Sequence, residues 1–355
     1  MKIKPILQKA VEAGASDLHL VSGLPATARV SGDIVFLDGE SLGEADIQGM
    51  VAEFITPDQQ ERLDSEMQAC FSCVVEDVAH VRISLYRRLG KLEAAIRLRA
   101  FELRSLEQLG LPPVVAELTR SPHGLILITG STGVGKTTTL YAIMDRINRE
   151  QRSILISVED PIEYIHSPNR SIVLQQEIGR DAKDYHSALM HILRLDPDII
   201  CIGEMRDMET INATLLAAET GHLVIATLHT TGAAQTVDRI ITAFPAHERD
   251  GVAAQLSHCL RGVITQALLP SADKKKLVLA YEVMTSSAAV RNNITERRVS
   301  HLTDAIQSGS AEGMKSMDLC LRDLYQSGAI TYDTALSHVR NQKYFASITE
   351  GGVKP

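Results

Sequence analysis

The sequence predicts an α/β protein of two domains, with a small N-terminal α+β domain followed by a larger domain built on a parallel sheet. A chain of 355 residues is long enough for two domains that each bury a core. After about residue 114, short and almost entirely apolar runs alternate with helical patterns. Parallel strands that are buried on both faces give this pattern.

The N-terminal domain is predicted to span residues 1–104. Apolar residues at helical spacing predict a first helix that ends near Gly14. Alternating or β-rich stretches predict the strands, and paired prolines place an interdomain linker at 105–115. The predicted strands lie at 17–21, 26–30, 70–75, 81–86 and 93–99.

The larger domain is predicted to span 116–345, and its strands alternate with amphipathic helices. Beyond about residue 250 the pattern is mostly helical, with Thr331 as the N-cap of the last helix. Residues 346–355 are expected to form a flexible tail. The predicted parallel strands lie at 125–129, 154–158, 199–202 and 223–227.

Composition excludes several classes of protein. The net charge of −8 provides no broad basic field, so non-specific nucleic-acid binding is not favoured. No apolar run reaches the ~20 residues that span a bilayer, and the N-terminus lacks the apolar core of a signal peptide. Cys70 and Cys73 form a C-x-x-C without a second ligand pair, which favours two packed cysteines over zinc. We therefore expect a cytoplasmic protein without a transmembrane segment.

The strongest functional signal follows the first predicted parallel strand. The eight residues 130–137 match G-x-x-x-x-G-K-[ST] in full, between an apolar strand and an amphipathic helix. In such a loop, glycines let backbone N–H groups point at phosphate oxygens, and the helix N-terminus adds a positive dipole end. Lys136 would reach the β- and γ-phosphates of ATP, and the Thr137 hydroxyl would ligate Mg²⁺. The predicted nucleotide-binding residues are Gly130, Ser131, Thr132, Gly133, Val134, Gly135, Lys136, Thr137 and Thr138.

Two acidic elements follow other predicted strands. Glu204 ends the apolar run 198–204, where it could orient Mg²⁺ through water; the alternative is a salt bridge with Arg206. Glu163 lies in an acidic turn after the strand at 154–158, and it is the predicted carboxylate that polarises the attacking water. The alternative for this turn is a solvated acidic loop without a catalytic role.

Two histidines bracket the last predicted parallel strand. His222 and His229 would lie about 23 Å apart at opposite ends of an extended segment, so they cannot share one metal site unless the strand bends. His229 is better placed to approach the γ-phosphate. Isolated histidines are usually structural, so spacing alone leaves both roles open.

These motifs taken together resemble the secretion ATPase superfamily, and most closely the type IV pilus retraction ATPases of the PilT family. The resemblance covers nearly the whole chain. It includes ASDLHL at 15–20, the nucleotide loop, ISVEDPIEYIH, the DPDIICIGEMRD form of Walker B, and the histidine box AAETGHLVIATLHT. The resemblance implies a PAS-like N-terminal domain and a RecA-like P-loop ATPase domain with a helical C-terminal region.

The resemblance also implies a function and partners. Members form homo-hexameric rings that hold ATP between their two domains and near a neighbouring subunit. The ring docks on a pilus platform protein at the cytoplasmic face of the inner membrane. Arg82 and Arg97 match arginines that approach the phosphates, and His222 and His229 match the histidine-box positions. The leading hypothesis is a motor that couples ATP hydrolysis to pilus retraction.

Three other functions remain as alternatives: a related type II/IV secretion or DNA-uptake motor, a slowly hydrolysing nucleotide-gated regulatory ring, and a P-loop kinase. The longer assembly and secretion members carry an extra N-terminal region and a two-pair cysteine zinc module, and this sequence has neither.

One departure from the family's pattern concerns its A-I-R-N-L-I-R segment, which here carries Asn293 and Thr295. It bears on retraction rather than on hydrolysis, and it points to a divergent pilus system or an accessory motor.

Overall fold

The computed structural model describes residues 2–30, 32–37, 39–75, 78–99 and 103–349. Contacts within the chain divide it into two compact units. The first unit comprises Met1–Glu102 together with Pro161–Ile165, and the second comprises Leu103–Asp160 together with His166–Pro355. The segment Pro161–Ile165 therefore leaves its sequence neighbours and belongs by its contacts to the first unit.

The first unit contains an antiparallel sheet in the order β3-β2-β1-β6-β5-β4. Along β1, Leu18 and Leu20 alternate with polar residues and are buried together with Leu7 of the first helix. This half-buried alternation is typical of an antiparallel sheet that packs helices on one face. The elements are α1 Lys4–Glu12, β1 Ala15–Leu20, β2 Thr27–Val30, β3 Asp33–Phe36, α2 Glu44–Val51, α3 Pro57–Glu66, β4 Gln68–Val75, β5 Ala79–Arg88 and β6 Lys91–Arg99.

The second unit is built on a mixed sheet in the order β13-β12-β7-β11-β10-β8-β9. The elements that precede β12 are α4 Pro113–Leu118, β7 Gly124–Thr129, α5 Lys136–Glu150, β8 Ile154–Glu159, β9 Ile172–Glu177, α6 Tyr185–Ile192, β10 Ile199–Ile202, α7 Met208–Glu219, β11 Leu223–Leu228, α8 Ala233–Thr242 and α9 Arg249–Cys259. The later elements are β12 Leu260–Pro270, β13 Leu277–Thr285, α10 Ala288–Thr295, α11 His301–Ser308, a 3₁₀ turn Ser310–Glu312, α12 Met317–Gln326, α13 Tyr332–Leu336 and α14 Gln342–Thr349.

The parallel strands of this sheet bring their C-terminal ends to one edge. Strands β7, β10 and β11 are buried along their whole length, which explains their almost entirely apolar sequences. In the parallel pairings, Thr129 lies beside Leu228, Ala226 beside Ile202, and Ile202 also beside Val158. The residues that follow these strands are therefore neighbours in space, at the edge where open α/β sheets bind ligands.

Beyond residue 250 most of the regular structure is helical, as predicted, but two strands there were not predicted. Two long strands, β12 and β13, form an antiparallel hairpin there, and β12 pairs in parallel with β7. An apolar run such as that of β12 fits a buried helix or a buried strand equally well by periodicity, and the available partner strand decides between them. Edge strands β3 and β9 also lie outside the predicted strands.

The predicted linker at 105–115 and the predicted tail at 346–355 each contain part of a helix. Within the predicted linker at 105–115, Leu106 and Leu111 are buried and α4 already begins. At the other end, Thr331 accepts a hydrogen bond from Thr334 N and caps α13, but α14 follows it. Helix α14 extends to Thr349, inside the predicted tail, and residues 350–355 lie outside the described residues.

The C-x-x-C pair lies on strand β4 with its two cysteines on opposite faces, because side chains three positions apart on a strand point in opposite directions. Cys73 packs against the core of the first unit. Cys70 is exposed and its sulfur accepts a hydrogen bond from Arg82 Nε at 3.2 Å. The expectation of two packed cysteines is therefore wrong for Cys70.

Candidate functional site

The predicted nucleotide loop connects the end of β7 to the first turn of α5. Gly130 adopts φ +141°, and a Cβ at this position would lie 2.5 Å from the carbonyl oxygen of Gln266 on β12. Only glycine therefore fits where the loop crosses the neighbouring strand. Gly133 and Gly135 also have positive φ values, which glycine adopts without steric cost.

The N-terminus of α5 has the features of an anion-binding site. Its N-cap is Gly135 in a left-handed conformation, and no described side chain caps the helix. By contrast, Asp184 caps α6 and Asp207 caps α7 through hydrogen bonds to backbone N–H groups. The first N–H groups of a helix have no intrahelical partner, and the dipole of a 15-residue helix favours negative charge there. A phosphate group fits this end of α5.

Lys136 lies in the first turn of α5 and is buried. Its Nζ donates to the carbonyl oxygens of Gly130 at 2.8 Å and Ser131 at 2.9 Å, so the ammonium group lies over the loop. Burial lowers the pKa of Lys136, and the negative charge of Glu204 partly opposes that shift. The loop thus presents a cation beside the uncapped helix end.

Glu204 follows β10 and has both carboxylate oxygens engaged. One oxygen lies 2.8 Å from His229 Nε2, and the other accepts a hydrogen bond from Arg206 Nε at 2.8 Å. That hydrogen bond is the main cause of the raised pKa of Arg206, whose guanidinium also lies 3.7 Å from Asp160. The salt bridge with Arg206 is therefore present, and a metal role for Glu204 stays a prediction.

The glycine before Glu204 has a packing reason. A Cβ at Gly203 would lie 3.0 Å from the Tyr185 hydroxyl and 3.1 Å from the carbonyl oxygen of Val158. Its backbone N–H also donates to that carbonyl. The Gly-Glu ending of this strand thus lets β10 pass close to β8 and α6 before the carboxylate turns towards the loop.

His229 connects the carboxylate to the loop. Its Nδ1 lies 3.3 Å from Lys136 Nζ and 3.4 Å from Thr132 Oγ1. Because a carboxylate only accepts and an ammonium only donates, this arrangement requires the proton on Nε2 and the lone pair on Nδ1. Glu204, His229 and Lys136 therefore form one continuous polar cluster.

His222 lies elsewhere in the second unit, before the first residue of β11. Its Nδ1 is 3.0 Å from the carbonyl oxygen of Ala217 and 3.3 Å from Thr220 Oγ1. The whole of β11 separates it from His229. The structure brings His229 to the nucleotide loop but places His222 at the opposite edge of the sheet, and its catalytic role stays a prediction.

A buried carboxylate that sequence analysis did not single out lies nearby. Glu159, the last residue of β8, accepts hydrogen bonds from Tyr141 Oη, from Ser157 Oγ at 2.6 Å and from Gln175 Nε2 at 2.9 Å. The two-residue spacing of Ser157 and Glu159 places both on one face of β8. That spacing was the available signal, but it did not distinguish Glu159 from the acidic residues that follow it.

Comparisons with known proteins decide the family. A profile of the family described as Type II/IV secretion system protein matches residues 59–335. The chain belongs to this family. The type IV pilus retraction ATPase PilT of Pseudomonas aeruginosa is 38% identical over 335 residues, which cover 94% of this chain and 97% of the relative. The type IV pilus ATPase PilU of the same organism is 34% identical over 339 residues, covering 95% and 88%.

A solved structure extends the likeness to three dimensions. The crystal structure of the pilus retraction motor PilT with bound ADP superposes with a TM-score of 0.89 at 38% identity, covering 97% of this chain and 98% of that one. The predictions of an α/β fold and of membership in the secretion and pilus ATPase family are confirmed. Within residues 2–349, apart from the gaps given above, no helix is long and apolar enough to cross a membrane.

The first unit of this secretion-family chain carries the two predicted arginines side by side. Arg82 on β5 is the direct cross-strand partner of Arg97 on β6. The guanidinium of Arg97 forms a 3.1 Å ion pair with Asp17, and that of Arg82 donates to Cys70. Glu163 also belongs to this unit, through the segment Pro161–Ile165. These three predicted residues thus belong to the first unit, whereas Lys136 belongs to the second.

The residues present fit ATP with Mg²⁺. Thr137 follows Lys136 in the uncapped first turn of α5, and its side chain is partly accessible. Both oxygens of Glu204 already contact N–H groups, so this carboxylate is better suited to hold the ion through water than directly. A hydroxyl and a carboxylate beside a helix N-terminus are the oxygen donors that Mg²⁺ takes in nucleotide sites.

Proposed function

We propose that this chain is an ATP-hydrolysing motor of the pilus retraction type, which converts ATP hydrolysis into disassembly of a type IV pilus. The observation that carries the proposal is the cluster of Lys136, His229 and Glu204 at the C-terminal ends of β7, β11 and β10. Near full-length similarity to the pilus retraction ATPase PilT of Pseudomonas aeruginosa supports the specific output.

The loop and the first turn of α5 bind the phosphates through backbone N–H groups, with side-chain contacts from the remaining loop residues up to Thr138. Lys136 exchanges the carbonyls of Gly130 and Ser131 for the β- and γ-phosphates, which are stronger acceptors for an ammonium group. Mg²⁺, when bound, would neutralise phosphate charge; the Thr137 hydroxyl, and Glu204 through water, are the groups that would hold it.

His229 reports whether Lys136 is engaged with phosphate. Its Nδ1 lone pair lies beside both Lys136 Nζ and Thr132 Oγ1, while Glu204 fixes the proton on Nε2. Movement of the ammonium group towards a γ-phosphate frees that lone pair and repositions the ring. Glu163 orients and polarises the attacking water, and phosphoryl transfer needs little more than such positioning and charge neutralisation.

Arg82 and Arg97 supply positive charge to the transferred phosphoryl group as fingers. Their adjacent positions on the sheet of the first unit are those of a paired cationic element, and Asp17 holds Arg97 in place until phosphate competes for it. We assign His222 an indirect role from its match to the histidine box alone, because its contacts are with the backbone and hydroxyl of the α7–β11 turn.

The chain is proposed to act as a homo-hexamer, docked on a pilus platform protein at the cytoplasmic face of the inner membrane. The altered segment at 289–295 falls on α10 and keeps its packing residues, since Val290 and Ile294 are buried. The Thr295 hydroxyl donates to Ser257 of α9 at 2.9 Å, so the changed position is tied to the neighbouring helix. This change leaves the nucleotide cluster intact.

Two experiments test the proposal. Lys136→Ala removes the cation at the β- and γ-phosphates, and phosphate release from ATP is expected to fall to background while the circular dichroism spectrum is unchanged. Near-normal turnover of that variant would refute the assigned loop. Deletion of the coding sequence is expected to leave surplus surface pili and abolish twitching; loss of the pili would instead indicate assembly, and unchanged pili would indicate a secretion or uptake motor.

A further inference from the structure

The last three helices form a small core of their own, separate from the core beneath the nucleotide loop. Met317, Leu321 and Phe345 pack with Leu269 and Ala280 of the β12–β13 hairpin. The larger core of the second unit contains none of these five residues. We call α12, α13 and α14 the C-terminal helical module. A polar contact joins it to the segment that follows β11.

Arg340, between α13 and α14, makes this contact. One guanidinium nitrogen donates to both carboxylate oxygens of Glu282 on β13, at 2.9 and 2.7 Å. Another nitrogen donates to the carbonyl oxygen of Thr231 at 2.5 Å. The backbone N–H of Arg340 donates to Asp318 Oδ1 at 2.9 Å, which fixes the residue to the start of α12. One side chain thus joins the module, the hairpin and the segment after β11.

Glu282 gives the guanidinium a fixed anchor. Glu282 is 2% exposed. Besides the hydrogen bonds from Arg340, its carboxylate accepts hydrogen bonds from the backbone N–H groups of Ala233 at 2.8 Å and Met317 at 3.3 Å. These N–H groups belong to the first residues of α8 and α12. A buried carboxylate with this many donors has little freedom to move, so its two hydrogen bonds fix the position of the Arg340 guanidinium.

The segment that Arg340 touches is the one that carries His229. Thr231 follows His229 by two residues, and Gly232 is the N-cap of α8. A Cβ on Gly232 would lie 2.9 Å from three atoms of the Arg340 guanidinium. The guanidinium therefore lies directly against the backbone of this segment, and it limits how far the segment can move.

We propose that Arg340 is a positioning residue that sets the place of His229 relative to Lys136 and Glu204. The inference rests on the proposed function of His229. The planar fork of arginine suits this task, because separate nitrogens engage Glu282 and the Thr231 carbonyl at the same time. The Arg340 side chain, anchored on Glu282, therefore couples the position of the C-terminal helical module to the geometry of the nucleotide cluster.

Arg340→Lys tests the proposal. Lysine keeps a cation for the buried Glu282 but has a single nitrogen, so it loses the bridge to the Thr231 carbonyl. We expect kcat for ATP hydrolysis to fall about 10- to 100-fold, the scale for a displaced catalytic group, with KM and the melting temperature close to wild type. A merely structural arginine would lower the melting temperature and leave kcat unchanged, which would overturn the proposal.

Arg322→Lys is the matched control. Arg322 lies in the same module, its side chain is 31% exposed against 35% for Arg340, and its ion pair is with its neighbour Asp323. No hydrogen bond of Arg322 to the His229 segment is seen in the described part of the chain. Its kcat is expected to match wild type. A loss equal to that of Arg340→Lys would mean that any cation change in the module lowers turnover, and it would overturn the assignment to Arg340.

Gly232→Ala gives a second, independent perturbation. Gly232 has extended backbone angles that alanine adopts without strain, so the added methyl group acts mainly by displacing the guanidinium. We expect a fall in kcat similar to that of Arg340→Lys, and no further fall when the two changes are combined, because both break one contact. Wild-type turnover of Gly232→Ala would contradict the proposal even if the lysine variant did not fold.

His229→Ala separates this inference from the function on which it rests. If Arg340 acts through His229, the Arg340→Lys change costs less than about twofold in kcat when His229 is already alanine. If the two losses multiply, the positioning role is wrong while the role of His229 stands. If the His229→Ala variant hydrolyses ATP at the wild-type rate, the proposed function of His229 is refuted, and the positioning role of Arg340 is refuted with it.

Discussion

The burial of His166 in the second unit predicts how the stability of the protein falls on mild acidification. The residue is 4% exposed, and its ring packs edge-on against Tyr141 with 5.5 Å between ring centroids. Burial lowers the pKa of His166 from 6.5 to about 4, because the charged imidazolium loses its hydration. The His166 imidazole is therefore neutral in the folded protein at pH 5, whereas the same side chain is protonated in the unfolded chain.

The sign and size of the effect follow from that difference. Between pH 6.5 and pH 4 the unfolded chain binds more protons than the folded one, so stability falls as pH falls. The stabilising contribution of the neutral imidazole to the free energy of unfolding is present above pH 6.5 and is fully lost below pH 4. Proton linkage at one site gives a loss of about 2 kcal/mol in the free energy of unfolding from pH 7 to pH 5, and about 3 kcal/mol in total.

Urea unfolding at pH 7, 6 and 5 measures this loss. His166→Phe keeps an aromatic ring against Tyr141 but cannot bind a proton, so its stability is expected to fall by about 2 kcal/mol less than wild type over the same range. His247→Gln is the control, because the His247 side chain is 80% exposed and should leave the wild-type slope unchanged. If His166→Phe retains the full pH dependence, the argument from burial is refuted.

The remaining predictions concern hydrolysis. Glu163→Gln is expected to bind ATP normally but to stop phosphate release; equal loss of both would mean that Glu163 is structural. Arg97→Ala is expected to lower kcat by about 10³–10⁵ if it is a finger, whereas loss of a surface ion pair alone would cost about 0–1 kcal/mol of stability and spare turnover. Gly130→Ala forces a methyl group to within 2.5 Å of a backbone oxygen and should abolish nucleotide binding in a fluorescence assay. Gly14→Ala is the control outside the loop, because it also has a positive φ but meets nothing within 4 Å; it should keep nucleotide binding, with a backbone cost of about 1–2 kcal/mol. Equal effects of the two changes would contradict the steric argument.

Local sequence determined those features that depend on short-range pattern. Almost entirely apolar runs identified the parallel strands around the site, because such strands are buried on both faces. The order of glycines and lysine in 130–137 identified the nucleotide loop, because phosphate binding needs exposed N–H groups and a cation at fixed spacing. Parallel strand direction then placed Glu204 and His229 at the edge that carries this loop.

Only the tertiary structure decided the features that depend on which distant residues meet. The hairpin of β12 and β13 was not predicted, because an apolar run becomes a strand there through pairing with β7 more than 130 positions earlier. The five-residue segment with Glu163 leaves its neighbours for the first unit, which no local pattern indicates. Arg340 lies 58 positions after Glu282 and 109 after Thr231, and their hydrogen bonds follow from the packing of α14 and β13 rather than from any motif. Periodicity reports whether a side chain is buried, whereas its partner is chosen by the fold as a whole.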